Sequence, residues 1–444
     1  EAVKLAVVVQ RYGANISGGA ELHAQYITEQ LSHHADVTVL TTCATDYISW
    51  RNELPATKEQ IGRVLVRRFP VHHERNPESF ARHSTRVFDH THSINDELTW
   101  LDSEGPASHA LVRYIRTNAE DFDFFIFFSY RYYHAFHGIL AAAHRAVLVP
   151  TAERDAALGL NIFGQIFRNA RAIMYNSFEE QILINAVSDN AHVPSVIVGV
   201  GSKVPHHTTP ERFRRKFKID HPFIIYVGRV DANKGCKQLF EYFIRYATNV
   251  SGKLSLVLIG NSVLPIPAHE RIHHLGFTSD KDKFDGMAAA ELLVIPSQYE
   301  SLSMATLEAW GLGRPVLANG HCDVLKGQCL RSNAGLYYDN YEEFAEALHA
   351  LETSSPLRKG LGHNGRRFFS RHYAWPVINR KYLTMLERLK KHDVATNGTH
   401  KLEKVPGWWT RRRRRLPPAN DIIKALPTGP APNARRLPRN SRRR

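Results

Sequence analysis

The stretch "ESLSMATLE" holds two carboxylates, Glu300 and Glu308, with Ser301 and Ser303 between them. A pair of acids in one short segment raises the prospect of general acid/base chemistry. The apolar run "ELLVIPSQY" just before it reads as a buried strand and its exit. "SMATLEAWGLG" reads as a short helix that stops at Gly311 or Gly313. Ser303 is a good N-cap, and Ser301 is the alternative. Glu300 then lies in the loop and Glu308 in the second helical turn, so the two acids do not share a helix face. The N–H groups of Leu302, Ser303 and Met304 would point outward as an anion nest.

A second group is "YVGRVDANKG", residues 226–235. Arg229 sits at a strand end and Lys234 near the next helix start. A cation at a helix N-terminus opposes the helix dipole, unless an anion lies between it and Arg229. A guanidinium fork with a point-charge ammonium suits a diphosphate. The plain alternative is two solvated surface cations. A third group is "GANISGGAELH", residues 13–23. Here Gly18 and Gly19 let the backbone approach a ligand at a helix N-terminus, a phosphate site in principle. It does not match GxGxxG, and a tight turn explains it equally well.

These groups need elements to hold them. "KLAVVVQ", "DVTVLTT", "DFFIFFSY", "AVLVP", "RAIMYNS" and "PSVIVGVG" are strand candidates in the first half. "FIIYVG", "LSLVLIG", "HHLGF", "ELLVIP", "RPVLAN" and "AGLYY" repeat the pattern in the second. A helix follows the first strand, with Ala20, Ala24, Ile27 and Leu31 at helical spacing, and another carries Leu239, Phe240, Phe243 and Ala247. Continuous apolar strands alternating with amphipathic helices predict α/β architecture with parallel sheets covered on both faces. Two such cycles predict two doubly wound Rossmann-like domains facing across a ligand cleft, hinged at residues 199–210. Residues 75–96 show no clear period and are expected as an irregular insertion or a long surface loop.

In their order, these motifs resemble the family 4 retaining glycosyltransferases, which have the GT-B fold. The resemblance rests on the E-x7-E pattern of Glu300 and Glu308, the strand "LLVIPS", the following "EAWGLGRPVLAN", the element "GRVDANKG" and the N-terminal "GGAE". It covers roughly residues 4–390. It implies an N-terminal acceptor domain over residues 1–200 and a C-terminal nucleotide-sugar donor domain over 201–372. A last helix, 373–391, would cross back onto the first domain. It also implies roles. Arg229 and Lys234 would grip the donor diphosphate and stabilise the leaving group. Glu300 would contact the donor sugar and Glu308 the ribose hydroxyls. Leu302 and Ser303 would offer N–H groups, Gly18 and Gly19 would close on the phosphates, and Phe277 and Thr278 would meet the base. Arg229, Lys234 and Glu300 form the expected catalytic set. Many members carry a His in a loop of the first domain. The matching segment here is "VPTAERD", with Glu153 or Arg154 near that place: either a backbone carbonyl takes the role, or Glu153 acts on the acceptor or sugar side.

The implied activity is transfer of a sugar, with retention, from a UDP- or GDP-sugar to a glycan or lipid-linked acceptor. The chemistry needs no metal and no cofactor beyond the donor. The rivals are a nucleotide-sugar hydrolase or epimerase of the same fold and a non-catalytic sugar-nucleotide or nucleic-acid binding protein. "DFD" at Asp121–Asp123 looks like a metal-binding DxD, but it precedes a strand and reads as a turn. The 25 histidines include four adjacent pairs, none with HExxH spacing, so no catalytic metal is expected.

Composition bounds the rest. The chain has 444 residues, 43% hydrophobic and 23% charged, ordinary values for a globular protein. No apolar run reaches the ~20 residues of a bilayer span, and no leader is visible. The expected location is the cytoplasm, peripheral at the inner membrane face. Cys43, Cys236, Cys322 and Cys329 are expected as free thiols. The net charge is +15, and most of it lies in the Arg- and Pro-rich tail. Residues 392–444 are therefore expected as a disordered basic extension. The alternative is a tether to an anionic membrane surface, with nucleic acid an unlikelier partner.

Overall fold

The computed structural model describes residues 2–16, 18–250, 252–396 and 415–431. The chain divides into two compact units. The first comprises residues 1–200 and 378–427, the second 201–377 and 428–444.

The first unit is built on an eight-stranded sheet. Its strands are β1 (Lys4–Val8), β2 (Asp36–Thr42), β3 (Lys58–Ile61), β4 (Val64–Phe69), β5 (Phe124–Phe128), β6 (Ala146–Val149), β7 (Ala172–Tyr175) and β8 (Ser195–Ile197). The order is β3-β4-β2-β1-β5-β6-β7-β8. All neighbours are parallel except β3 with β4. β5 is buried at every position, as expected for a strand covered on both faces. β3 and β4 are absent from the strand candidates because β3 is a polar, exposed edge strand and β4 carries two arginines.

The second unit has six parallel strands: β9 (Phe223–Val227), β10 (Ser255–Ile259), β11 (Ile272–Gly276), β12 (Leu292–Ile295), β13 (Val316–Asn319) and β14 (Gly335–Tyr338). The order β11-β10-β9-β12-β13-β14 reverses direction between β9 and β12. In doubly wound sheets that switch point is where the strand ends leave a crevice for a ligand.

Two expectations are corrected. Residues 75–96 are not irregular: they enter the helices Pro77–Asp89 and Ile94–Glu104. Asn76 caps the first, with Pro77 opening it, and Ser93 with Asp96 forms a capping box on the second. Only Val87 of the first helix is buried, so its apolar period is nearly invisible. The tail is likewise not wholly without structure. Leu416, Ala419 and Leu426 are buried in the first unit's core, and residues Ala419–Lys424 are helical. Ala419 docks against Gly159, where a Cβ would come within 2.3 Å of the Ala419 carbonyl oxygen. Residues 392–395 end the helix Trp375–Ala395, and residues 397–414 and 432–444 lie outside the described residues. The four cysteines are free and buried. No helix among the described residues is long and apolar enough to cross a membrane.

Candidate functional site

A set of charged side chains suited to binding an anion lies at the switch point of the second unit's sheet. The loop leaving β9 runs from Arg229 to Gly235 and opens the helix Cys236–Asn249. The loop leaving β12 carries Glu300 and opens the helix Met304–Gly311. Adjacent parallel strands bring these two loops together, and Lys234 Nζ lies 3.0 Å from Glu300 Oε1. Gly235 permits the approach. It has φ +76, and a Cβ there would fall 2.2 Å from the Pro296 carbonyl oxygen at the exit of β12.

Asp231 organises the first loop. Its side chain is 7% exposed. One carboxylate oxygen accepts from Arg229 Nε at 2.5 Å, and the other accepts from the Lys234 backbone N–H at 2.7 Å. A single buried acid thus aims the guanidinium and pins the turn that carries the ammonium. Arg229 keeps 45% of its side chain exposed and Lys234 37%, so both cations remain reachable from solvent. Sequence reasoning did not single out Asp231. The signal was its spacing, two residues after one cation and three before the other, which suits an Asx-type turn.

The second loop ends at Ser303, which has φ +74 and caps the helix through Thr306 N–H. A non-glycine residue in that region is strained, and such strain clusters at functional loops. Leu302 is buried, which anchors the loop just before the helix. Glu308 is 4% exposed rather than a surface acid. Its Oε1 accepts from Ser202 Oγ at 2.7 Å and faces Lys283 Nζ at 3.2 Å. Neither partner is foreseeable from sequence, since both lie far along the chain. The loop after β11 projects Phe277, 76% exposed, beside Thr278, whose hydroxyl donates to the Ser279 carbonyl.

Gly18, Gly19 and Glu153 belong to the first unit. Gly18 caps the helix Gly19–Leu31 in extended conformation. A Cβ on Gly18 would strike Glu21 Oε2 at 2.4 Å, because Glu21 pairs there with Arg11 at 2.7 Å, both side chains buried. Gly19 has open space around it. Glu153 is partly buried in the loop after β6. Its neighbours are firmly tied. Asp155 pairs with Arg131 at 2.8 Å, and Arg154 donates to the carbonyls of Ile423 and Pro427. Asp121 closes a short 3-10 turn, and Asp123 accepts from the Lys4 N–H at 2.8 Å, so the DxD look-alike is a strand-start turn.

Comparison with known proteins defines the class. Residues 208–368 match the family described as "Glycosyl transferases group 1". The curated relatives include the alpha-D-kanosaminyltransferase of Streptomyces kanamyceticus, 29% identical over 33% of this chain and 40% of its own. An uncharacterized glycosyltransferase of Methanocaldococcus jannaschii is 23% identical over 38% and 46%. The chain spans less than half the length of these relatives. Among solved structures, sucrose-phosphate synthase from Thermosynechococcus elongatus superposes with TM-score 0.66 at 16% identity, over 88% of this chain and 100% of that one. Anabaena HepE in complex with UDP-glucose gives 0.63 at 16%, over 87% and 99%. The chain has the GT-B fold of these glycosyltransferases. The matched residues 208–368, similar to the group 1 glycosyl transferases, lie within the second unit.

Proposed function

We propose that the protein is a retaining glycosyltransferase that takes its sugar from a UDP- or GDP-sugar. The observation that carries this reading is the Arg229–Asp231–Lys234–Glu300 assembly at the switch point of the second sheet. Cleaving a sugar–phosphate bond builds negative charge on the departing diphosphate. Arg229 and Lys234, held in place before the donor arrives, would stabilise that charge more in the transition state than in the ground state. The N–H groups of Leu302 and Ser303, at a helix start, would add oriented dipoles.

Glu300 would accept from the sugar hydroxyls while balancing Lys234, and Glu308 would accept from the ribose hydroxyls. Since one oxygen of Glu308 already meets Ser202 and Lys283, its second oxygen is the one offered to the ligand. Phe277 supplies an exposed ring against which a base can stack, with Thr278 beside it. Gly18 and Gly19 would approach the phosphates, and Glu153 would act on the acceptor or sugar side. The diphosphate oxygen would take the acceptor's proton as the acceptor attacks from the face that the leaving group vacates. In this reading neither a metal nor a further cofactor takes part. The acceptor would be a glycan or lipid-linked glycan, met at the inner membrane face. A hydrolase or a binding-only protein has no observation of its own in its favour.

The test is a panel of UDP-, GDP-, ADP- and dTDP-sugars scored by thermal shift and slow donor hydrolysis, with product anomers read by NMR. The proposal expects one donor base to stabilise the chain and Arg229→Ala to abolish that stabilisation. Failure of every donor, or an inverted anomer in the product, would overturn it.

A further inference from the structure

Of the four adjacent histidine pairs in the sequence, one folds onto an acid. His72 and His73 follow β4, and Asp102 lies in the helix Ile94–Glu104. Among the described residues these three form the only group of His, Cys, Asp or Glu whose ligand atoms all lie within 4.8 Å of one another. We propose that His72, His73 and Asp102 form a binding site for a zinc-type dication. Its role is to fasten the chain after β4 to that helix rather than to take part in chemistry.

Three observations carry the proposal. The first is distance. His73 Nε2 lies 2.9 Å from Asp102 Oδ2. Two ligands at ~2.0–2.1 Å from a tetrahedral zinc are about 3.3 Å apart, so a small side-chain rotation admits the ion. The second is the frame behind the ligands. The His72 N–H donates to the Ala107 carbonyl at 2.9 Å. Two residues past His73, Arg75 pairs with Glu104, two residues past Asp102, at 3.2 Å. These contacts hold the two backbone segments side by side, so the ligand positions are set before any ion arrives. The third is the surrounding rings. His109 stacks on His72 with centroids 3.5 Å apart, and His73 meets His72 edge-on at 4.5 Å.

Two imidazoles and one carboxylate suit zinc, copper or nickel, whereas magnesium and calcium prefer oxygen alone. His73 and Asp102 keep 41% and 48% of their side chains exposed, so an ion can enter and a water can fill the remaining position. His109 acts through His72 and is a positioning residue.

The experiment is equilibrium dialysis of the chelator-treated full chain against Zn²⁺ at pH 7.5, with Co²⁺ absorption reporting the geometry. The expected result is about one zinc per chain, with a dissociation constant on the order of a micromolar or tighter. His73→Ala and Asp102→Ala should each weaken binding on the order of 100-fold, and His109→Ala ~10-fold, as for a supporting residue. His33→Ala, at another exposed pair, should change nothing. Circular dichroism melts check that each variant folds. The proposal falls if the wild-type chain takes up no zinc at ~100 µM, many times that constant. It also falls if His73→Ala and Asp102→Ala bind as the wild type does, which would put the zinc among other histidines.

Discussion

Asp231 touches no ligand in the proposed site, yet its removal should be felt there. Its two carboxylate oxygens do separate work: one restrains the Arg229 guanidinium, and the other accepts the Lys234 N–H. In Asp231→Asn the side-chain carbonyl can still accept the Lys234 N–H, but the ionic clamp on Arg229 is gone. Arg229 must then be immobilised when the donor binds, at a cost of about 1–2 kcal/mol of side-chain entropy. Donor affinity should fall ~5- to 30-fold. In Asp231→Ala the Lys234 N–H also loses its acceptor. That adds about 1 kcal/mol and brings the loss to roughly 30- to 150-fold. Isothermal titration with the best nucleotide from the donor panel measures both variants against wild type, and thermal melts check folding. The reasoning is refuted if both variants bind like wild type while Arg229→Ala binds poorly. It is equally refuted if Asn costs as much as Ala, since the two oxygens would then not act separately.

Gly235→Ala should disturb the same loop from its backbone. The φ of +76 and the 2.2 Å approach to the Pro296 carbonyl predict a loss of at least ~1–3 kcal/mol in denaturant unfolding. Donor binding should weaken with it, and an unchanged unfolding midpoint would contradict the packing argument. A pH dependence follows from the first unit. Burial lowers His23 to about 3 and His134 to about 4. Below pH 6.5 the unfolded chain takes up protons that these native imidazoles refuse, so stability falls as pH falls through the window from 6.5 to 4. At pH 5 the loss is ~2 kcal/mol for each. His92 opposes this. Burial lowers its pKa, but hydrogen bonds to Glu97 and the His90 carbonyl outweigh it and raise the value, so His92 favours the folded state as pH falls. Urea midpoints at pH 7.5 and 5.0 should differ accordingly, and the double variant His23→Gln with His134→Gln should narrow the gap.

The parts of the molecule legible in its sequence are those whose burial is complete. β5 and β9 read as strands because both faces are covered and every position is apolar. Arg229, Lys234, Glu300 and Ser303 could be placed at strand ends and helix starts because such junctions are written locally. What escaped depended on partial burial or on distant partners. The helix Pro77–Asp89 hides a one-residue buried stripe, and its caps were the better signal. The burial of Glu308 was not legible because Lys283 and Ser202, which hold it, come from other elements. The docked tail segment was masked by the arginines around it, although Leu416 and Leu426 carry the contact.

The first unit's division into residues 1–200 and 378–427 has a consequence during synthesis. When residue 200 leaves the ribosome, roughly 180 residues must still be made before the segment that completes that core begins to appear. At ~5–20 residues per second the nascent domain waits about 10–40 s. Until then the surfaces that will receive Leu386, Leu389, Leu416 and Ala419 stand open to water or to a chaperone. A ribosome that stops at residue 377 releases residues 201–377 of the second unit joined to an unfinished first one.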